Sequence, residues 1–305
     1  MDLSGEQLEI AFGAARATVT SVGATLREYV ADGQALVDGF DADMVCPGGR
    51  GQVLMPWPNR IASGRYEFAG RREQLPIDEV ELGHAIHGLV RWAGWQVEAR
   101  DEASVRLCYR LPPRPGYPWP LALSVEYRLA ETGLTVTSGA TNLGRSACPF
   151  GAGAHPYFRV EPLGRVRVDA LELCVRAREW LDVDAHSIPT RRRPVEGSPV
   201  DFCRPRLIGT AHLDHAFTEL DRDREGIARV WLRYDRQELA VWLDRSFGFV
   251  QIYTGDTLPD RSRRRLAVAV EPTSCAPNAF NSHDGLIVLE PGASFQGRWG
   301  VIPPR

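Results

Sequence analysis

One imidazole and one carboxylate, more than a hundred residues apart, stand out as a pair able to exchange protons with a ligand. His155 lies in Gly153-Ala154-His155-Pro156-Tyr157-Phe158, and Glu271 in Ala269-Val270-Glu271-Pro272-Thr273-Ser274-Cys275. A residue before proline is pushed to extended backbone, which aims the His155 ring out of a strand edge. Small residues on one side and Tyr157 and Phe158 on the other leave room for a ligand beside it. Glu271 ends the apolar run Leu266-Ala267-Val268-Ala269-Val270. A carboxylate there must be paired, hydrogen-bonded or functional, because burying it bare is costly. Each residue alone is equally well explained as structural. Facing each other in a cleft, they would move protons to and from a small neutral substrate.

Three further clusters carry polar groups. Arg60, in Pro56-Trp57-Pro58-Asn59-Arg60, offers a planar fork of donors to hydroxyls or an anion, or else caps a proline-stiffened loop. His84 and His87 stand at i and i+3, but no third ligand follows at metal-site spacing, so a donor or acceptor role for His87 beside Gly88 is preferred over zinc. Asp214, between Leu213 and His215, is a turn residue or an acceptor for two hydroxyls. Cys275 is read as packing, since nothing nearby would lower its pKa. No phosphate loop or nucleophile elbow competes, and the absence of any lysine excludes a lysine Schiff base.

The elements that must position these groups have period two. Leu121, Leu123, Val125, Tyr127 and Leu129 alternate with Ala122, Ser124, Glu126 and Arg128, then Glu131-Thr132-Gly133 turns the chain into Leu134 and Val136. Val97 to Leu111 and Val230 to Leu243 repeat the pattern, and Asp32-Gly33 and Gly70 mark further turns. Such alternation predicts strands with one face buried, and no helical stripe competes. With 29 Gly and 22 Pro dispersed as punctuation, the expectation is all-β: one large antiparallel β-sandwich domain over residues 1–305. The arginine- and proline-rich segment Asp182 to Arg206 is expected to be a long surface excursion. A cleft over a sheet, walled by loops, is the expected site.

The 305 residues, 44% hydrophobic and 25% charged, suit an ordinary globular protein. A net charge of -3 gives no reason to expect nucleic acid or an anionic membrane as partner. Apolar runs of about five residues are far short of a membrane span. The six cysteines (Cys46, Cys108, Cys148, Cys174, Cys203, Cys275) show no C-x-x-C spacing, and the first residues lack a signal-peptide pattern. A cytoplasmic protein with reduced thiols is therefore expected.

Read in order, N-R-I-A-S-G-R-Y-x-F-x-G from Asn59, A-I-H-G-L-V-R-W from Ala85, G-A-H-P-Y-F, L-D-H-A-F-T, Y-T-G-D-T and A-V-E-P followed by L-E-P-G together resemble the aldose 1-epimerases, or mutarotases. The blocks span nearly the whole chain. The resemblance implies a galactose mutarotase-like supersandwich, a sugar substrate, no metal and no organic cofactor, in a monomer or homodimer. It implies His155 as general acid, Glu271 as general base, and Arg60, His87 and Asp214 as residues that hold the sugar. Ionised Glu271 would take the anomeric O1 proton while protonated His155 protonates the ring oxygen. Reference pKa values suit those charge states near neutrality. Three departures bear on the substrate: Gly88-Leu89-Val90-Arg91-Trp92 in place of a second-glycine block, Asp78 where Asn is common, and Asn278 where Asp is common. One alternative is an epimerase of an anionic sugar, a hexose 6-phosphate or sulfonated sugar, held by Arg60, Arg91 and other unpaired arginines. Another is a non-catalytic sugar-binding protein on the same fold. Glycoside hydrolysis, which uses two carboxylates flanking one bond, is disfavoured.

Overall fold

Period-two alternation becomes two large antiparallel sheets. The computed structural model describes residues 2–160 and 166–304. Among the described residues, one sheet has nine strands, and near its centre, beside the middle strand Ser294–Ile302, Leu121–Ala130 and Gly133–Asn142 are joined at the turn anticipated from Glu131-Thr132-Gly133. Leu121, Leu123, Val125, Tyr127 and Leu129 are all buried, and the residues between them are not. The hairpins Gln96–Arg100 with Ser104–Leu111 and Ala228–Tyr234 with Gln237–Leu243 flank this centre as their patterns predicted.

The second sheet runs, in order, Pro189–Pro194, Ala177–Val183, Asp214–Leu220, Phe249–Tyr253, Val268–Thr273, Gly153–Ala154 and Val53–Leu54, with Tyr157–Phe158 also paired to Val268–Thr273. One contiguous apolar cluster takes side chains from both sheets, including Leu107, Val125 and Trp299 from the first and Phe217, Val250, Val268 and Val270 from the second. The architecture is all-β, with a single four-residue α-helix, Ala279–Ser282, among the described residues. No described helix is long and apolar enough to cross a membrane.

Asp182 to Arg206 runs mostly over the surface, and within it Pro189–Pro194 pairs with Ala177–Val183 as an edge strand, which the sequence reading had not anticipated. Its consecutive arginines obscure the alternation, yet they meet acidic partners, Arg191 and Arg193 on Asp182 and Arg192 on Glu179 and Asp284. Charge along an edge strand discourages pairing with another chain.

Candidate active site

The strand Val268–Thr273 is buried along its whole length because both of its faces are covered. Side chains alternate across a strand, so Val268 and Val270 enter the core between the sheets while Ala269 and Glu271 point to the other face. Register continues that second face outward. Glu271 pairs with Gln251, Ala269 pairs with both Tyr157 and Tyr253, and Tyr253 pairs with Asp214. Sheet geometry alone thus collects a glutamate, a glutamine, two tyrosines and an aspartate on one surface. Glu271 sits mid-strand, not at the strand end where the sequence had suggested it.

Above this surface lies a cleft of about 400 Å³ lined by His155, Glu271, Arg60, His87 and Asp214, all five of the anticipated residues. His155 follows Gly153–Ala154, and its backbone is tied on both sides: its N–H donates to Gln52 O at 3.1 Å and its carbonyl accepts from Gly51 N at 2.9 Å. Its Nε2 stands 3.4 Å from Glu271 Oε1. His87 meets the His155 ring edge-on, with centroids 5.1 Å apart at 76°. His87 itself is fixed by Asn59 N, which donates to its Nδ1 at 3.1 Å. The following residue, Gly88, has φ +76°, and a Cβ there would lie 2.0 Å from Met55 O, so only glycine allows this close approach.

Arg60 reaches the cleft from a two-stranded ladder with Ala85–Ile86. Its Nε and Nη2 donate to the two carboxylate oxygens of Glu79, both at 2.8 Å. Asp214 accepts from Gln251 Nε2 at 2.6 Å. Asp78 also lines the cleft; it accepts from Ile86 N at 2.8 Å and from Arg91 Nη2 at 2.9 Å. Arg60 and Arg91 are therefore not unpaired, contrary to the expectation behind an anion-binding role. Asn278 does not line the cleft. Its N–H donates to Arg60 O at 2.7 Å and its Oδ1 accepts from Ala62 N at 3.0 Å, so it braces the strand that carries Arg60. His84 is likewise drawn off, its Nδ1 accepting from Ser63 N and its Nε2 facing His186 O.

Burial reverses the expected charge states. His155 and Glu271 are 6% and 2% exposed. Desolvation pushes His155 down to about 3, with the cations Arg91, Arg50 and Arg60 acting in the same sense. His87 falls well below the usual histidine range, first by burial and then by its histidine and arginine neighbours. Desolvation drives Glu271 well above the usual carboxylate range; nearby Asp214 adds to the rise and Arg60 opposes it. Both directions favour a proton on the carboxyl beside a neutral imidazole. Glu271 Oε2, Gln251 Oε1 and His155 Nδ1 are buried and have no hydrogen-bond partner among the described residues.

Two site residues escaped the sequence reading. Gln251 had a usable signal, since it is the one amide in the apolar strand Phe249–Tyr253. Glu79 had none, because it lies in an irregular loop and is recognisable only from its bidentate grip on Arg60.

The fold and the site together define an all-β sandwich that sets a buried imidazole and carboxyl side by side in a polar cleft. The sequence model described as aldose 1-epimerase matches residues 6–300, and the chain belongs to that family. It is 37% identical over 293 residues to the uncharacterized protein YihR of Escherichia coli K12, covering 96% of this chain and 91% of that one. Galactose mutarotase of Mus musculus is 29% identical over 226 residues, 68% of this chain and 63% of the mouse protein. Among solved structures, the GalM/aldose epimerase homologue from C. elegans has the same fold, with a TM-score of 0.85 at 20% identity and coverage of 98% and 99%.

Proposed function

We propose that this protein is a hexose mutarotase, interconverting α and β anomers by opening and reclosing the ring. The observation that carries this reading is the His155–Glu271 pair, 3.4 Å apart and buried at the floor of the cleft. Ring opening needs a base at the O1 hydroxyl and an acid at the ring oxygen O5. With the pair as imidazolium and carboxylate, Glu271 takes the O1 proton, His155 gives one to O5, and the C1–O5 bond breaks to leave an aldehyde. The enzyme then holds a protonated Glu271 and a neutral His155, the arrangement that burial favours. Rotation about C1–C2 and reversal of both transfers gives the other anomer.

The cyclic sugar meets the pair in the opposite protonation arrangement. A single shift from Glu271 to His155, across 3.4 Å, prepares it. No proton enters or leaves, so the reaction proceeds wherever the pair holds one proton. Turnover is then expected to fall on the acid side only as pH nears about 3, where His155 gains a second proton for the pair, and on the alkaline side only where Glu271, raised well above the usual carboxylate range, loses its own. Ordinary carboxylate and imidazole values would instead give a narrow optimum between about 4.3 and 6.5. A pH–rate profile read by polarimetry distinguishes the two.

Asp214 and Arg60 supply an acceptor and donors for the sugar hydroxyls, and His87 presents its ring beside His155. Glu79 holds Arg60 in place through two hydrogen bonds of 2.8 Å. Replacing Glu79 by Gln breaks the bidentate grip and is expected to raise KM about tenfold with a smaller change in kcat. Steady-state kinetics on the variant tests this. Because Glu79 and Asp78 already face Arg60 and Arg91, a neutral hexose suits the cleft better than an anionic one. A panel containing glucose, galactose, glucose 6-phosphate and a sulfonated hexose tests that preference. Saturation by the anionic sugars alone would overturn it.

A further inference from the structure

Arg50 does not line the cleft, yet its surroundings lead straight to His155. The His155 and Tyr157 rings are stacked, with centroids 5.0 Å apart and planes at 16°. The Arg50 guanidinium carbon lies 4.6 Å from the centroid of the same Tyr157 ring. Arg50 Nε donates to Asp38 at 3.0 Å. Both Arg50 and Tyr157 also grip the turn Pro47–Gly49: Arg50 Nη1 donates to Pro47 O at 3.0 Å, and the Tyr157 hydroxyl donates to Gly48 O at 3.1 Å. That turn delivers Gly49 against the imidazole, where even a Cβ would come within 3.2 Å of His155 Cδ2.

Folding stability alone does not account for this arginine. Arg50 is 2% exposed, and its Nη2 is buried without a hydrogen-bond partner among the described residues. A buried donor left unpaired is costly. Asp38 does not need it either, since Arg159 and Arg263 approach the same carboxylate. What the buried cation does engage is the electron-rich face of Tyr157.

We propose that Arg50 is a positioning residue, which acts through Tyr157 and the Pro47–Gly49 turn to fix the plane of His155 so that Nε2 faces Glu271. The imidazole is then bounded by Tyr157 on its face, His87 at 5.1 Å, Gly49, and Glu271 at 3.4 Å, leaving it one orientation. Arg50 also belongs, with Arg91 and Arg60, to the cations that disfavour the imidazolium; Glu271 and His87, which face the ring, are in surroundings whose burial disfavours their charged forms.

The test compares Arg50→Met, which keeps an apolar stem beside Tyr157, with Arg50→Lys and with Arg159→Gln as a control that spares Tyr157. Two quantities are read: the kinetics of anomer exchange, and the His155 imidazole NMR signals as a function of pH. Arg50→Met is expected to lower kcat about tenfold or more while KM stays within about twofold, because misaiming a catalytic group weakens the chemical step more than binding. Its His155 signals move and titrate at higher pH than in the native protein. Arg50→Lys returns the titration toward the native position and recovers part of kcat, and Arg159→Gln leaves both unchanged. A folded Arg50→Met with native kcat and native His155 signals would overturn the proposal. Should that variant not fold, Tyr157→Leu removes the intervening ring while keeping the Arg50–Asp38 pair, and the same readouts decide. The kinetic arm rests on the mutarotase reading. If the native protein turns over no sugar, that reading fails, while the NMR arm still judges the positioning role.

Discussion

Glu271→Gln is expected to reduce kcat by about 10²–10⁴-fold with little change in KM, since the amide keeps the shape of the carboxyl but cannot exchange a proton with O1. The same variant is expected to be more stable than the native protein at neutral and alkaline pH. The sign follows from burial. Glu271 has a folded pKa raised well above its ordinary value of 4.5. Between those two values the folded state binds more protons than the unfolded state, so native stability declines as pH rises through that window. Glutamine removes this decline. His155 acts in the opposite direction: its pKa falls from 6.5 unfolded to about 3 folded, so its contribution is present above 6.5 and is lost as pH falls toward 3. Urea unfolding of both proteins from acid to alkaline pH, beside their kinetics, checks the pair of effects. A variant that lost activity and also lost stability at every pH would point to a structural role for the carboxylate.

Asp38→Asn carries the largest expected effect on stability. Asp38 is 3% exposed and stands among three guanidiniums: Arg50 Nε at 3.0 Å, Arg263 Nη1 at 3.5 Å and Arg159 through a short ion pair. Removing this carboxylate takes from buried Arg50 its ion-pair partner at 3.0 Å, which typically costs about 3–5 kcal/mol. Arg159→Gln deletes one partly exposed cation and leaves Asp38 two partners, so it is expected to cost less than about 1 kcal/mol. The free energies from urea unfolding of the two variants should differ accordingly. Equal losses would mean that the cluster is not organised around Asp38.

The sheets were legible where alternation was unbroken and turns were marked, as from Leu121 to Val136, because one-sided burial writes itself directly into residue order. Pro189–Pro194 was not legible. An edge strand carries charge on both faces, and three successive arginines give no period to read. The family blocks made His155, Glu271, Arg60, His87 and Asp214 readable as candidates, and the cleft brings all five together. Their partners were a different matter. Arg60 was expected to be free, but its Glu79 partner is a loop residue whose approach depends on the whole chain's path. The same applies to Asn278, which turned out to brace the Arg60 strand. Charge states were the least legible. They depend on how much water the fold removes around Glu271 and His155, and residue order does not encode that. Arg50 likewise gains its meaning only when Tyr157 and Asp38 converge on it.

A buried imidazole–carboxyl pair that opens and recloses a sugar ring must speed the exchange of anomers. The most direct test is the optical rotation of freshly dissolved α-glucose and α-galactose, followed with and without the native protein. Rotation that reaches its equilibrium value faster in proportion to protein concentration, for at least one of these sugars, is the predicted result. A rate equal to that of buffer alone, with sugar binding demonstrated in the same samples, would contradict it.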